Sequence, residues 1–195
     1  MSAPRVILGV SGASGAALAL ATAQGLRRAG AEIDLVVSRA AKRTLLEECG
    51  EGALEDLRAQ AHRVHGVDDI GASIASGSVP VTGMIMAPCS MRSLAAVAMG
   101  LDDSLLIRAA SVQLKERRRL ILMTREAPLT LTHLRNMTTA TELGAIILPP
   151  VPAFYLKPKS VSDIVDQIAA RAVDLLQLAP PLAQPWQDTL GGDQG

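Results

Sequence analysis

The chain is short of aromatic residues. One Phe, one Tyr and one Trp (Phe154, Tyr155 and Trp186) make up 2% of its 195 residues. Single-stranded nucleic-acid binders stack successive bases on aromatic side chains, so that class is excluded. Charge of one sign is also lacking, since nineteen Lys and Arg balance nineteen Asp and Glu. No overall positive field is available to hold nucleic acid or an anionic membrane. A charged small molecule must then be held by local clusters. Cysteine occurs only twice, at Cys49 and Cys89. Without a CxxC, zinc-knuckle and thioredoxin-type sites are excluded. The opening Met-Ser-Ala-Pro-Arg lacks the layout of a signal peptide. The expected location is the cytoplasm, with free thiols. No apolar run in the sequence approaches the ~18 residues of a membrane span.

What the chain has is apolar substance. Hydrophobic residues are 49% and charged residues 19%, against roughly 25% charged in an ordinary soluble chain. Mean hydropathy is +0.27. A chain this apolar without a span is expected to hide surface against copies of itself.

The pattern along the chain alternates strand and helix. Arg5 to Val10 is a continuous, β-branched apolar run, the mark of a strand buried on both faces. The small-residue loop Ser11 to Gly15 follows, then an Ala/Leu-rich helix to about Ala29, stopped by Gly30. Glu32 to Val37 is a second strand, and Ser38 is placed to cap a helix from Arg39 to Cys49. A polar helical stretch from Ala53 leads into a loop-rich region, Gly66 to Pro80. Further strands are expected at Met84 to Ala87, Leu120 to Met123 and Ala145 to Leu148, the first ended by Pro88 and the last by Pro149-Pro150. Helices are expected at Met91 to Met99, Asp103 to Arg117, Leu129 to Leu143 and Val161 to Leu178. The order implies an α/β, Rossmann-like, three-layer αβα fold with a mostly parallel sheet. One domain is expected over residues 1–178. The Pro-, Gln- and Gly-rich tail, 179–195, is expected to be intersubunit or partly disordered, with Trp186 anchored on a neighbour.

Ligands of open parallel sheets bind beyond the carboxyl ends of the strands. That rule selects Ser11 to Gly15, Ser38-Arg39, Pro88 to Ser93, Thr124 to Pro128 and Pro149 to Tyr155. The first is a turn that lets a phosphate approach backbone N–H groups at a helix start, although simple turn chemistry explains it equally. In the third, Ser90 and Ser93 bring hydroxyls and Arg92 a cation, and capping alone is the simpler account. Cys89 reads as a small buried residue rather than a nucleophile. Arg108 and Lys115 lie seven residues apart, on one helical face, as either a solvated basic face or an anion site. Arg125-Glu126 directly follows a buried strand; a cation there would hold the Glu126 carboxylate in place, or the two form a structural ion pair. Asp68-Asp69 and Asp102-Asp103 lack the further acids of a DDxxD metal cluster, so a phosphate leaving group would be held by Lys and Arg, with no metal.

Six segments together resemble the flavin prenyltransferase (UbiX-like) family. They are SGASG (Ser11 to Gly15), ASGS (Ala75 to Ser78), PCSM (Pro88 to Met91), RAASVQLKERRRL (Arg108 to Leu120), REAPLTLTHLRNM (Arg125 to Met137) and GAIILPPVPAFYLKP (Gly144 to Pro158). The resemblance implies a homododecamer with active sites shared between subunits. It implies transfer of a dimethylallyl group from dimethylallyl phosphate to N5 and then C6 of reduced FMN, without metal. The product, prenylated FMN, would serve a UbiD-like decarboxylase. Carried over by motif, Gly12, Ala13, Ser14, Ser38, Ser90, Met91, Arg92, Ser93 and Arg125 correspond to FMN-binding positions. Arg108, Lys115, Glu126, Tyr155 and Arg171 correspond to the prenyl-phosphate site. Ser14, Glu48, Glu126 and Lys115 correspond to the groups that move protons and assist phosphate departure. Ile70 stands where some members carry Trp, Asp103-Ser104 replaces an Asp-Asn or Asn-Asn pair, and Ser93 is often Thr. Two other readings compete. An FMN-dependent cysteine-type decarboxylase would need a PASANT-like turn and a PxMNxxMW segment, and the chain has neither. A flavin-storing module would not need the second anion-binding set.

Overall fold

The computed structural model describes residues 3–186. Six strands form one sheet: β1 (Arg5–Val10), β2 (Glu32–Val37), β3 (Arg63–His65), β4 (Gly83–Cys89), β5 (Arg119–Thr124) and β6 (Ile146–Ile147). Every pairing is parallel, in the order β3-β2-β1-β4-β5-β6. The connecting helices are α1 (Ala16–Arg28), α2 (Arg39–Cys49), α3 (Ala53–Gln60), α4 (Met91–Met99), α5 (Leu105–Lys115), α6 (Leu131–Glu142) and α7 (Val161–Asp174).

The continuous apolar strands follow from this layering. Along β1, Val6, Leu8 and Val10 enter a core with Leu26 of α1, Leu45 of α2, Leu57 of α3 and Val173 of α7. Ile7 points to the other face, among Leu94 of α4, Ile107 of α5 and Ala140 of α6. A strand covered on both faces has no polar position to alternate with. Each fully buried Leu or Ile contributes about 1.5–3 kcal/mol, so the two cores together fix the strand order that creates the site.

Three departures from the sequence pattern have physical causes. β3 lies in a polar stretch, three residues paired with Asp34–Val36 at the sheet edge. A side-chain network holds it: His65 Nε2 meets Asp34 Oδ1 at 2.8 Å, and Arg5 donates to Asp34 Oδ2 at 2.7 Å. β4 runs through Pro88 to Cys89. The pairing with β5 shifts register between Met86 and Cys89, so the missing N–H of Pro88 costs no ladder bond. α5, α6 and α7 are shorter than their apolar periodicity suggests, while α2 and α4 keep their expected ranges. Thr130 and His133 form a capping box that starts α6 at Leu131. Arg117 and Gln177 take positive φ of 55° and 56°, beyond the ends of α5 and α7.

The tail folds back on its own chain. The Asp174 carboxylate accepts the N–H groups of Leu182 (2.7 Å) and Ala183 (3.0 Å), and the Gln167 side chain pairs with both backbone groups of Gln184. The Trp186 ring meets Tyr155 edge-on, with centroids 5.1 Å apart. Trp186 thus has an aromatic partner within its own chain, and its indole stays 65% exposed. The rest of the tail, 187–195, lies outside the described residues.

Candidate active site

The strand order reverses between β1 and β4, and a crevice opens at the carboxyl ends of such a pair. Ser11, inside the turn that the strand-end rule selects but not among the residues carried over by motif, joins its two walls. Its buried hydroxyl donates to the carbonyl of Pro88 (2.8 Å) and accepts the N–H of Ser90 (2.7 Å). The turns after β1 and β4 are thereby locked together. Gly12 is required by packing: a Cβ there would lie 2.3 Å from the Cβ of Ala40 on α2. Ala13 and Ser14 complete the turn.

Glu48, near the end of α2, reaches the start of α1. Its Oε2 accepts the N–H groups of Gly15 and Ala16, both at 2.8 Å. Burial alone would push its carboxyl up. The N–H groups of Ala16 and Gly15, the Ser14 hydroxyl and the positive charge of Arg125 outweigh burial and hold it below its ordinary value. The turn expected to receive a phosphate is thus already supplied with a fixed anion. A phosphate approaching Gly15 and Ala16 would compete with Glu48. The same contacts bring Ser14, Glu48 and Arg125, from three separate segments, into one cluster.

Ser38 and Ser90 both cap helices at this edge. Ser38 Oγ accepts from Ala41 N (3.1 Å), and Ser90 Oγ accepts from Ser93 N (3.2 Å) while donating to Ser93 Oγ (3.1 Å). Met91 and Arg92 form the first turn of α4, whose positive end faces the carboxyl edge. Cys89 is fully buried and its thiol is pushed up to about 12, which excludes it as a thiolate nucleophile at neutral pH.

Arg125 and Glu126 leave β5 side by side and both are exposed. The expected ion pair does not form. Successive residues of an extended exit point to opposite sides, and the Glu126 carboxylate instead accepts from Ala127 N at 3.1 Å. Beside them, the Thr124 hydroxyl is buried without a partner. The crevice thus has helix N-termini, hydroxyls, Arg125 and an unspent Thr124 Oγ1, a donor set that fits a phosphorylated, hydrogen-bonding heterocycle such as FMN.

The remaining cations are elsewhere. Arg108 on α5 donates to the Ala75 carbonyl (3.2 Å) and pairs with Asp102 (2.9 Å). Lys115, at the end of α5, pairs with Glu116, and a Cβ on Gly77 would strike both side chains. Arg118 donates to the carbonyls of Gly77 (2.7 Å) and Val79 (3.0 Å), so the ASGS loop is seated on this helix end. α5 carries the chain back toward the amino edge of the sheet, and Lys115 stands four residues before β5 begins there. Tyr155 and Arg171 share a third place, a cleft of about 460 Å³ walled by Leu148, Ile168 and Trp186. One chain therefore gathers Ser14, Glu48 and Arg125 beside the joined turns after β1 and β4, and places Lys115 toward the other end of the sheet. Among the described residues, no three His, Cys, Asp or Glu side chains gather as a metal-ligand set.

The Flavoprotein family model matches residues 1–173. A flavin prenyltransferase UbiX of Thauera aromatica is 50% identical over 182 residues, 93% of each chain. The chain belongs to the flavin prenyltransferase (UbiX-like) family. Solved structures of the family agree. AnUbiX (PadA1), in complex with FMN and dimethylallyl pyrophosphate, is 42% identical and superposes with a TM-score of 0.91, covering 95% of this chain and 98% of its own. A dodecameric FMN-dependent UbiX-like decarboxylase from Escherichia coli O157:H7 is 43% identical with a TM-score of 0.89, covering 94% of this chain and 99% of its own.

Proposed function

We infer that this UbiX-like chain is a flavin prenyltransferase. It moves the dimethylallyl group of dimethylallyl phosphate onto N5 and C6 of reduced FMN, with no metal, and its product serves a UbiD-like decarboxylase. The observation that carries this reading is a supply of cations beyond what FMN needs. The crevice has Arg125 and the N-terminus of α4, while Arg108 and Lys115 on α5 and Arg171 in the cleft beside Tyr155 lie in two further places of the chain. Holding FMN requires only the crevice.

The roles follow from the chemistry of the side chains. Reduced FMN, when bound, supplies the nucleophilic N5 and the C6 carbon. Gly12, Ala13, Ser14, Ser38, Ser90 to Ser93 and Arg125 would hold it. Ser14 lies beside the ionised Glu48 and helps hold its carboxyl below the ordinary value, and a hydroxyl there can still accept a hydrogen bond from the flavin. When the C–O bond of the prenyl phosphate breaks, negative charge grows on the leaving oxygen. Fixed Lys and Arg groups stabilise that charge, with Arg108, Lys115, Tyr155 and Arg171 in this role. Glu126, exposed and joined only to Ala127 N among the described residues, is placed to pass a proton.

The site is shared between subunits of a homo-oligomer, taken as a dodecamer. Large apolar side chains support this: Met99, Val151, Phe154 and Val161 are 69–77% exposed in one chain. No helix among the described residues is long and apolar enough to cross a membrane. We place the enzyme in the cytoplasm, with Cys49 and Cys89 both free thiols. Residues 1–178 form the catalytic domain. The deciding experiment is incubation with reduced FMN and dimethylallyl phosphate, followed by mass spectrometry of the flavin. A flavin heavier by one C5 unit is expected; an unchanged flavin with intact substrate refutes the activity.

A further inference from the structure

Two adjacent acids stand between the two groups of cations. Asp102 and Asp103 lie in the link between α4 and α5. Asp102 Oδ2 receives Arg108 at 2.9 Å, and its other oxygen receives the Ser111 hydroxyl, one turn further along α5. Asp103 receives the guanidinium of Arg92, in the first turn of α4. Neighbouring carboxylates thus each engage a different cation, one from the expected prenyl-phosphate set and one from the expected flavin set.

We propose that Asp102 and Asp103 are positioning residues, Asp102 for Arg108 at the prenyl phosphate and Asp103 for Arg92 at the flavin. The proposal rests on the site assignments made above. An Arg side chain is long and loses substantial rotamer freedom when it is held in place. Arg108 is anchored at two points, Nε on the Ala75 carbonyl and one terminal nitrogen on Asp102. The guanidinium plane is then fixed and its other terminal nitrogen is left for an incoming oxygen. Ser111 holds the carboxylate in turn, so the brace does not depend on Arg108 for its own orientation. Asp103 restrains Arg92 in the same way, with one contact. The link Leu101–Ser104 is itself tied down: Leu105 N donates to the Val67 carbonyl at 2.8 Å, and Asp103 N to Leu101 O at 2.9 Å.

A carboxylate beside an arginine can also act as a competitor for the substrate anion. The sign of the effect separates the two cases. Positioning requires that Asp102→Ala raise KM for dimethylallyl phosphate by about tenfold, the scale of one charge-assisted contact, with FMN affinity unchanged. Asp102→Asn, which keeps an acceptor of the same shape, should recover part of that loss. Asp103→Ala should weaken FMN binding and leave KM for dimethylallyl phosphate unchanged at saturating FMN. The measurements are FMN fluorescence titration and initial rates on the full-length protein, with Arg108→Ala alongside. A fall in KM in Asp102→Ala marks the carboxylate as a competitor and overturns the proposal. Equal shifts of both parameters in both variants mark the link as merely structural and overturn it too. If Arg108→Ala raises KM while Asp102→Ala does not, the brace is wrong and the site assignment stands. If Arg108→Ala leaves KM unchanged, the assignment of Arg108 fails, and the proposal fails with it.

Discussion

Glu48→Gln separates charge from shape at the start of α1. The carboxylate accepts two N–H groups at 2.8 Å, from Gly15 and Ala16. Both bonds go to the same oxygen, so the amide oxygen in that place can still accept both N–H groups. What is lost is the negative charge at the helix N-terminus, which contributes about 0.3–1 kcal/mol. Glu48 is exposed to solvent, so screening keeps the loss to about 1 kcal/mol at most. In a chain of this length that lowers Tm by about 2–4 °C, measured at one protein concentration because subunit association also shifts Tm. The pH dependence fixes the cause. The folded carboxyl sits below its ordinary 4.5: burial acts to raise it, and the Ala16 and Gly15 N–H groups, Ser14 and Arg125 prevail. A depressed carboxyl stabilises the fold fully above pH 4.5, and that contribution is lost as pH falls through the lower folded value. The gap between wild type and Glu48→Gln should therefore be open at pH 7 and close well below pH 4.5. Denaturant titrations of both proteins across that range test it. A gap that persists undiminished in acid would show that the charge of Glu48 contributes nothing and that the amide disturbs packing instead.

Three other substitutions test separate parts of the site. Gly12→Ala forces a Cβ to within 2.3 Å of Ala40, and overpacking of that kind should cost about 1–3 kcal/mol; unchanged stability by denaturant titration would contradict the close approach of α2. Lys115→Ala should bind FMN normally and lose about 10²–10³ in prenylation rate, by analogy with removal of one oxyanion donor, and the activity of the wild type should survive a chelator; a requirement for Mg²⁺ would refute the phosphate role of Lys115. Glu126→Gln should retain FMN affinity and form product very slowly, because the amide exchanges no proton at neutral pH; normal turnover at saturating FMN would eliminate the catalytic role.

The sheet was legible because β1, β4, β5 and β6 carry apolar runs, and β2, interrupted only by Asp34, matches its sequence range, Glu32–Val37, to the residue. β3 was not legible. Three residues, with Arg63 and Val64 exposed, carry no periodicity, and their attachment depends on Asp34, buried in β2, meeting His65 and Arg5. In the site, the residues of the small-residue turns could be located by the strand-end rule. What those residues touch could not. Nothing in SGASG indicates that its N–H groups belong to Glu48, some thirty residues onward. The pairing of Arg125 with Glu126 looked natural from adjacency, yet the partner affected by the charge of Arg125 is Glu48. Asp102-Asp103 was legible as too few acids for a metal. Its engagement with Arg108 and Arg92 depends on the path of the α4–α5 link, which sequence spacing does not determine.

Departure of phosphate from an allylic carbon requires a site from which water is excluded, and one chain does not provide it. Arg125 and Glu126 are exposed, and Leu129, Leu131 and Leu134 beside them are 41–62% exposed. Lys115, which the chemistry needs near the leaving phosphate, stands toward the opposite edge of the sheet. Both deficits are met by the same event. A second copy laid over the apolar residues following Glu126 would dry the crevice, and it would bring its own α5 cations to the first copy's flavin. Assembly and prenylation should then be lost together, while FMN binding, which draws on the crevice of a single chain, should decline far less. Replacing Leu131 and Leu134 with Glu places like charges on an apolar contact and should break the assembly without touching either anion-binding set. Light scattering, FMN titration and product formation on the same preparation read the three quantities. A monomeric variant that prenylates FMN at the wild-type rate would show that one chain contains the whole site, and would overturn the shared-site argument.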